Sequence, residues 1–117
     1  MRFTEVEYTD AAPVEGYGPG FFRIGGEVIQ GGAVTGPAGT GPWGGFDDLE
    51  ALRPMAGQID VLFLGTGAEI ANPPTAFRTA VEAMGFGVEV MASPVAARTY
   101  NVLLSEGRRI ALAVLPV

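Results

Sequence analysis

The sequence predicts a single α/β domain over residues 1–117, with a β-α-β-α-β unit in its second half and a glycine-rich antiparallel β region in its first half. Three observations support this prediction. A length of 117 residues suits one domain and is too short for two stable cores. Hydrophobic residues make up 48% of the chain and charged residues 17%, which favours a compact core. From residue 59 onward, apolar runs alternate with helix-start patterns.

The first half contains a predicted β-hairpin. Phe21–Ile24 and Glu27–Gln30 flank the pair Gly25-Gly26, and two adjacent glycines tolerate the positive φ angles of a tight turn. Residues 31–45 carry further glycines and prolines, so a strand there, at about residues 33–35, is expected to be short.

The segment after the hairpin contains one tryptophan and a predicted short helix. Trp43 is expected to fill the rim of the core, with a role in binding as the alternative. Asp47 and Asp48 are typical helix-capping residues and predict a helix of about two turns through Leu52. Pro54 is expected to end that helix because proline has no backbone N–H.

Residues 59–64 form an apolar run that predicts a parallel strand buried on both faces. Asn72 followed by two prolines is typical of a helix start. The spacing of the next apolar residues predicts one buried helix stripe, formed by Phe77, Ala80, Val81 and Met84. Gly85 is expected to end this helix.

Residues 88–91 predict a second strand, residues 95–106 a second helix after Ser93-Pro94, and residues 109–115 a third strand. Short joints between these elements predict right-handed crossovers and parallel strands. In the second helix, the side expected to face the sheet carries Ala96, Tyr100, Leu103 and Leu104. Val95 and Val102 lie on the outward side, which suggests cover by first-half strands or by a partner.

Composition excludes several functions. A net charge of −6 disfavours binding to nucleic acid. The seven basic residues are all arginine, and histidine, lysine and cysteine are absent, which rules out histidine bases, lysine Schiff bases and His/Cys zinc sites. We therefore predict no catalytic residues, metal or cofactor. The first ten residues do not resemble a signal peptide, and the apolar runs are too short to span a bilayer, so we expect a cytoplasmic protein without membrane insertion.

One candidate anion pocket lies where the parallel strands are predicted to end. Gly65, Thr66 and Gly67 follow the first strand, but Ile70 occupies the third glycine position of a dinucleotide-binding motif, so that motif is absent. Ser93 begins the next helix at the same edge, and the positive end of a helix attracts anions. The alternative is that Ser93 caps its own helix.

The sequence Leu-Leu-x-Glu-Gly-Arg-Arg at residues 103–109, preceded by Ala-Arg-Thr-Tyr-Asn at residues 97–101 and by Leu-Gly-Thr-Gly at residues 64–67, resembles a known family. It is similar to the Mth938-like domains, small bacterial and archaeal proteins with a mitochondrial relative that assists assembly of respiratory complex I. The likeness covers nearly the whole chain. Its most specific part is residues 96–108.

This resemblance implies a three-layer fold with a mixed central sheet, helices on one side and additional β structure on the other. It implies no catalytic residues. We expect residues 96–108 to bind a protein partner, a subunit of a membrane complex being the favoured kind. The candidate residues are Arg98, Thr99, Tyr100, Asn101, Glu106 and Arg108.

The leading hypothesis is thus a non-enzymatic protein-binding or assembly factor for a respiratory or other membrane complex. The alternative is a small-molecule or anion-binding domain, with hydrolysis included, at the ends of the parallel strands. Homodimerisation through edge strands is a third hypothesis.

Overall fold

The computed structural model describes residues 11–117. This part of the chain contains eight strands and two α-helices. In chain order they are β1 (Val14–Gly18), β2 (Phe21–Ile24), β3 (Glu27–Gln30), β4 (Gly32–Gly36), β5 (Gly39–Trp43), β6 (Val61–Gly65), α1 (Thr75–Glu82), β7 (Gly87–Met91), α2 (Ser93–Ser105) and β8 (Ile110–Val114). A single 3₁₀ turn, Arg53–Met55, lies between β5 and β6.

The strands form two sheets. The central sheet has five strands in the order β5-β4-β8-β6-β7 and is mixed: β6 is parallel to β7 and β8, whereas β4 is antiparallel to β5 and β8. The second sheet is antiparallel, in the order β1-β2-β3. The predicted β-α-β-α-β unit and glycine-rich β region are confirmed, and the first half both extends the central sheet and forms a separate layer.

The predicted hairpin is also confirmed. Phe21 pairs with Gln30, and Ile24 pairs with Glu27. Gly25 and Gly26 between the strands have φ angles of 59° and 84°. Both values lie in the left-handed region, which glycine adopts without a steric penalty.

The two helices lie on opposite faces of the central sheet, so the expectation that both share one side is wrong. Tyr100 of α2 belongs to the same core as Phe63 of β6, whereas Phe77 of α1 packs with the alternate β6 residues Leu62 and Leu64. The strand order explains this arrangement. The chain leaves β6 in one direction to reach β7 and returns across β6 to reach β8, and right-handed crossovers in opposite directions place their helices on opposite faces.

Three layers result. On one face, α2 and the three-stranded sheet cover a core that includes Phe22, Ile24 and Leu112. On the other face, α1 and the segment around the 3₁₀ turn cover a second core, to which Trp43 and Met55 contribute. Trp43 is buried as expected, and its indole Nε1–H donates to the carbonyl of Asp48 at 3.1 Å.

The predicted two-turn helix at residues 47–52 is wrong. Asp48 does accept a hydrogen bond from the N–H of Ala51 at 3.3 Å, as a capping residue would, but its carboxylate also accepts from the N–H of Gly44 at 2.9 Å. The segment forms consecutive turns instead. Pro54 cannot donate the next helical hydrogen bond, and it occupies the start of the 3₁₀ turn, where no donor is needed.

The start of α1 also differs from the prediction. This helix begins at Thr75 after Pro74 and has no side-chain cap, so the expected capping role of Asn72 is wrong. Phe77 and Val81 of the predicted apolar stripe are buried, and Ala80 and Met84 are partly buried. The preceding strand begins at Val61, two residues later than predicted.

Candidate functional site

Residues 96–108, called the α2 motif below, lie mostly on helix α2 and end just after the turn that follows it. The helix has two different sides. Ala96, Tyr100 and Leu104 are buried on the side facing the central sheet, as predicted, whereas Leu103 is only partly buried. Ala97, which was not predicted to face the sheet, is buried as well. Arg98 and Val102 lie on the exposed side. The candidate residues of the motif are therefore divided between the core and the surface.

Tyr100 belongs to the core. Its side chain is fully buried, and its hydroxyl donates to the carbonyl of Ala12 at 3.1 Å. Thr35 lies against the same carbonyl and shares a 2.6 Å hydrogen bond with the hydroxyl of Thr40. Burial raises the pKa of Tyr100 to about 12, and a hydrogen bond with the Thr35 side chain offsets part of that increase.

Asn101 joins α2 to the three-stranded sheet. Its Oδ1 accepts from the N–H of Val14, and its Nδ2 donates to the carbonyl of Val14, each at 2.8 Å. This side-chain amide pairs with the backbone of β1 as a neighbouring strand would. Thr99 is half-buried, with its hydroxyl 3.6 Å from Sδ of Met91. The middle of the α2 motif thus holds together elements that lie far apart in sequence.

The remaining motif residues are on the surface. Arg98, Glu106 and Arg108 are exposed, and within residues 11–117 none of them has an ion-pair partner within 4.0 Å. Val95 and Val102 are 41% and 57% exposed. The described first-half strands therefore leave this side of α2 uncovered.

The four residues of the predicted anion pocket do come together at the carboxyl ends of β6 and β7. Ser93 is fully buried there. Its hydroxyl donates to the carbonyl of Leu115 at 2.7 Å and accepts from the N–H of Gly67 at 2.9 Å. It makes no capping hydrogen bond to α2, so the capping alternative is wrong.

The hydroxyl of Thr66 also forms hydrogen bonds with nearby backbone groups. It donates to the carbonyl of Glu69 and accepts from the N–H of Ala71, each at 2.9 Å. In the first turn of α2, the N–H of Ser93 donates to Gly67 at 2.7 Å, and Pro94 has no N–H. These groups join the strand ends to one another, and the anion pocket stays a prediction.

Gly65 allows the closest approach within this junction. A Cβ at this position would lie 2.7 Å from Cα and Oγ of Ser93 and from Cγ1 of Val114. We expect Gly65→Ala to lower the free energy of unfolding by about 2 kcal/mol through overpacking. Gly87→Ala is the matched control, since its nearest neighbour would be 3.8 Å away. Urea unfolding measures both, and equal stability of the two variants would contradict this account.

A groove lies on the face of the central sheet that α1 covers, and it was not predicted from the sequence. It has a volume of about 230 Å³ and is lined by Phe46, Asp47, Leu49, Pro74, Ala76 and Phe77. The Phe46 and Phe77 rings lie 5.0 Å apart, and Trp43 lies 6.1 Å from each. Phe77 could be assigned to the core by helical spacing, but its meeting with Phe46 depends on the tertiary fold.

Residues 14–115 match the family described as protein of unknown function (DUF498/DUF598). The chain belongs to this family. It is 51% identical over 117 residues to an uncharacterised protein of Rhodobacter capsulatus, an alignment that covers all of this chain and 94% of that one. The Mth938-like fold is shown by the solution structure of a Mth938-like domain from Bordetella pertussis, with a TM-score of 0.73, 26% identity and coverage of 99% of this chain and 92% of that one.

A more distant relative has a named role. The chain is 30% identical over 123 residues to the zebrafish (Danio rerio) NADH dehydrogenase [ubiquinone] 1 alpha subcomplex assembly factor 3, with 99% of this chain and 71% of that protein aligned. The predicted resemblance is thereby confirmed, including the distant relationship to a complex I assembly factor.

Two further observations concern membranes and metals. Neither α-helix in residues 11–117 has the length and hydrophobicity needed to cross a bilayer. In the same part of the chain, no three acidic side chains converge to form a group that could hold a metal ion.

Proposed function

We propose that this chain is a non-enzymatic protein-binding factor that assists assembly of a membrane complex and holds its partner in the groove between Phe46 and Phe77. The observation that carries the proposal is the groove, in which aromatic and aliphatic side chains surround a volume of about 230 Å³. The relationship to an assembly factor supports the same class of function.

The size and lining of the groove favour a side chain of a protein partner over a free small molecule. Small-molecule sites usually enclose roughly 300–1,000 Å³ and combine a mostly apolar lining with a few polar groups that orient the ligand. This groove is smaller, and five of its six lining residues are apolar. Buried aromatic or aliphatic anchors that fill such pockets contribute much of the affinity at protein interfaces.

The charge of the groove indicates the kind of segment that fits. Asp47 is exposed at the lining and has no ion-pair partner among residues 11–117. The chain as a whole carries a net charge of −6. A partner segment with one large apolar side chain next to lysine or arginine would complement both features.

The strand-end junction is a weaker candidate for a binding site. The hydroxyl groups of Ser93 and Thr66 already form hydrogen bonds with nearby backbone groups. An incoming anion would have to replace these contacts.

Affinity capture from the source organism's lysate, membrane fraction included, tests the proposal. Ala76 is exposed in the groove lining, so Ala76→Arg would place a long cationic side chain in the groove without disturbing the core. We expect at least a tenfold loss of captured partner, on the order of the loss caused by removing an interface anchor. Quantitative mass spectrometry measures the change.

Ala83→Arg is the matched control, because Ala83 is exposed at the other end of α1 and does not line the groove. It should capture partner as well as the parent chain does. Asp47→Asn should weaken capture at low salt and have less effect at high salt, where the charge is screened. A partner that is retained equally by Ala76→Arg and Ala83→Arg would contradict the groove proposal.

A further inference from the structure

We infer that the outer side of α2 binds a second copy of this chain, with the two α2 helices antiparallel across a two-fold axis at Val102. The residues that carry this inference form one stripe, Val95, Arg98, Val102 and Glu106, at spacings of three, four and four residues. Such spacing places Val95, Arg98 and Val102 in a row along one side of α2, and Glu106, the residue that caps the C-terminus of the helix, continues the row. The stripe is exposed, with Val95 at 41% and Val102 at 57%.

The two charges of the stripe lie too far apart along α2 to pair with each other. Arg98 and Glu106 are eight positions apart, about 12 Å along a helix, whereas ion pairs on a helix form three or four positions apart. Val102 occupies the position four residues from each of them. Neither charge has an ion-pair partner within residues 11–117.

The same pattern complements itself when a second helix runs antiparallel. With Val102 facing Val102 of the second copy, Arg98 of each chain faces Glu106 of the other, because both lie four residues from the centre. Two equivalent ion pairs then flank one apolar contact, as a two-fold interface requires. A parallel arrangement would place arginine against arginine and glutamate against glutamate, which is repulsive.

The proposed interface is independent of the groove. Since α1 and α2 lie on opposite faces of the central sheet, two chains joined through α2 would leave both grooves accessible. A dimer of this kind would hold two partner segments at once.

Sedimentation of the full chain, over a concentration series centred on the micromolar affinities expected of a small interface, tests the inference. We expect reversible dimerisation that weakens as salt rises. Arg98→Glu and Glu106→Arg should each weaken it at least about tenfold, because each turns two attractive pairs into two repulsive ones. Arg53→Glu is the charge-matched control, since Arg53 is exposed at the 3₁₀ turn, outside α2, and it should dimerise normally.

Mixing the two weakened variants gives the decisive result. In a heterodimer of Arg98→Glu with Glu106→Arg, both cross-chain pairs are again opposite in charge, so association should return. The double variant Arg98→Glu/Glu106→Arg should also dimerise by itself. A parent chain that stays monomeric throughout, single variants that dimerise like the parent, or a mixture that fails to associate would each overturn the inference. Variants in the groove should leave the sedimentation of the chain unchanged. Loss of partner capture therefore tests the proposed function, and loss of dimerisation tests this inference.

Discussion

Replacing Asn101 with alanine is expected to lower the free energy of unfolding by about 3 kcal/mol, because each neutral hydrogen bond contributes about 1 kcal/mol and stranded backbone groups cost more. The side chain of Asn101 makes two 2.8 Å hydrogen bonds to the N–H and carbonyl of Val14. Its loss leaves both backbone groups of β1 without these partners in a partly buried place. Urea unfolding of the full chain at neutral pH measures the effect.

Ser105→Ala is the matched control for this variant. Ser105 lies on the same helix, but its hydroxyl is exposed and donates only to the carbonyl of Val102 in its own helix at 2.7 Å. Its removal should change stability by less than about 0.5 kcal/mol. If Asn101→Ala were as stable as Ser105→Ala, the amide would not hold β1 against α2.

Alkaline pH is expected to destabilise the protein through Tyr100. Burial raises the pKa of this phenol to about 12 in the folded chain, against 10.0 in the unfolded chain. The folded state therefore binds the phenolic proton more tightly than the unfolded state does. The stabilisation that this preference gives is complete below pH 10 and is lost as the pH rises to 12. At about 1.4 kcal/mol for each unit of pKa difference, the free energy of unfolding should fall by about 3 kcal/mol across this interval.

Tyr100→Phe isolates this contribution. At pH 7 the variant should be less stable by about 1 kcal/mol, because it lacks the hydrogen bond to Ala12. Between pH 10 and 12 its stability should fall less steeply than that of the parent chain, whereas Tyr17→Phe, at an exposed position, should follow the parent. If the free energy of unfolding fell equally steeply with pH in Tyr100→Phe and in the parent chain, Tyr100 would not be a buried, neutral phenol in the folded state.

Elements encoded by short-range patterns could be predicted from the sequence. Two adjacent glycines between the segments Phe21–Ile24 and Glu27–Gln30 predicted the hairpin, and the spacing of Phe77 and Val81 predicted the buried side of α1. The error at residues 47–52 arose because Asp48 accepts hydrogen bonds on both sides of itself, which a capping pattern does not reveal.

Features that depend on strand order could not be predicted. The placement of α1 and α2 on opposite faces follows from β8 lying on the far side of β6 from β7, and no local pattern encodes that order. The pairing of Asn101 with Val14 spans 87 positions. The sequence marked residues 96–108 as distinctive, but only the structure separates Tyr100 and Asn101, which make internal contacts, from the exposed Arg98 and Glu106.

Amide hydrogen exchange of this chain bound to its captured partner, compared with the free chain, tests whether the groove between Phe46 and Phe77 is the partner-binding site. If the partner occupies the groove, protection should increase at residues 46–49 and 75–78, which form its two sides. Protection confined to other parts of the chain, with these two segments unchanged, would contradict the groove as the partner-binding site.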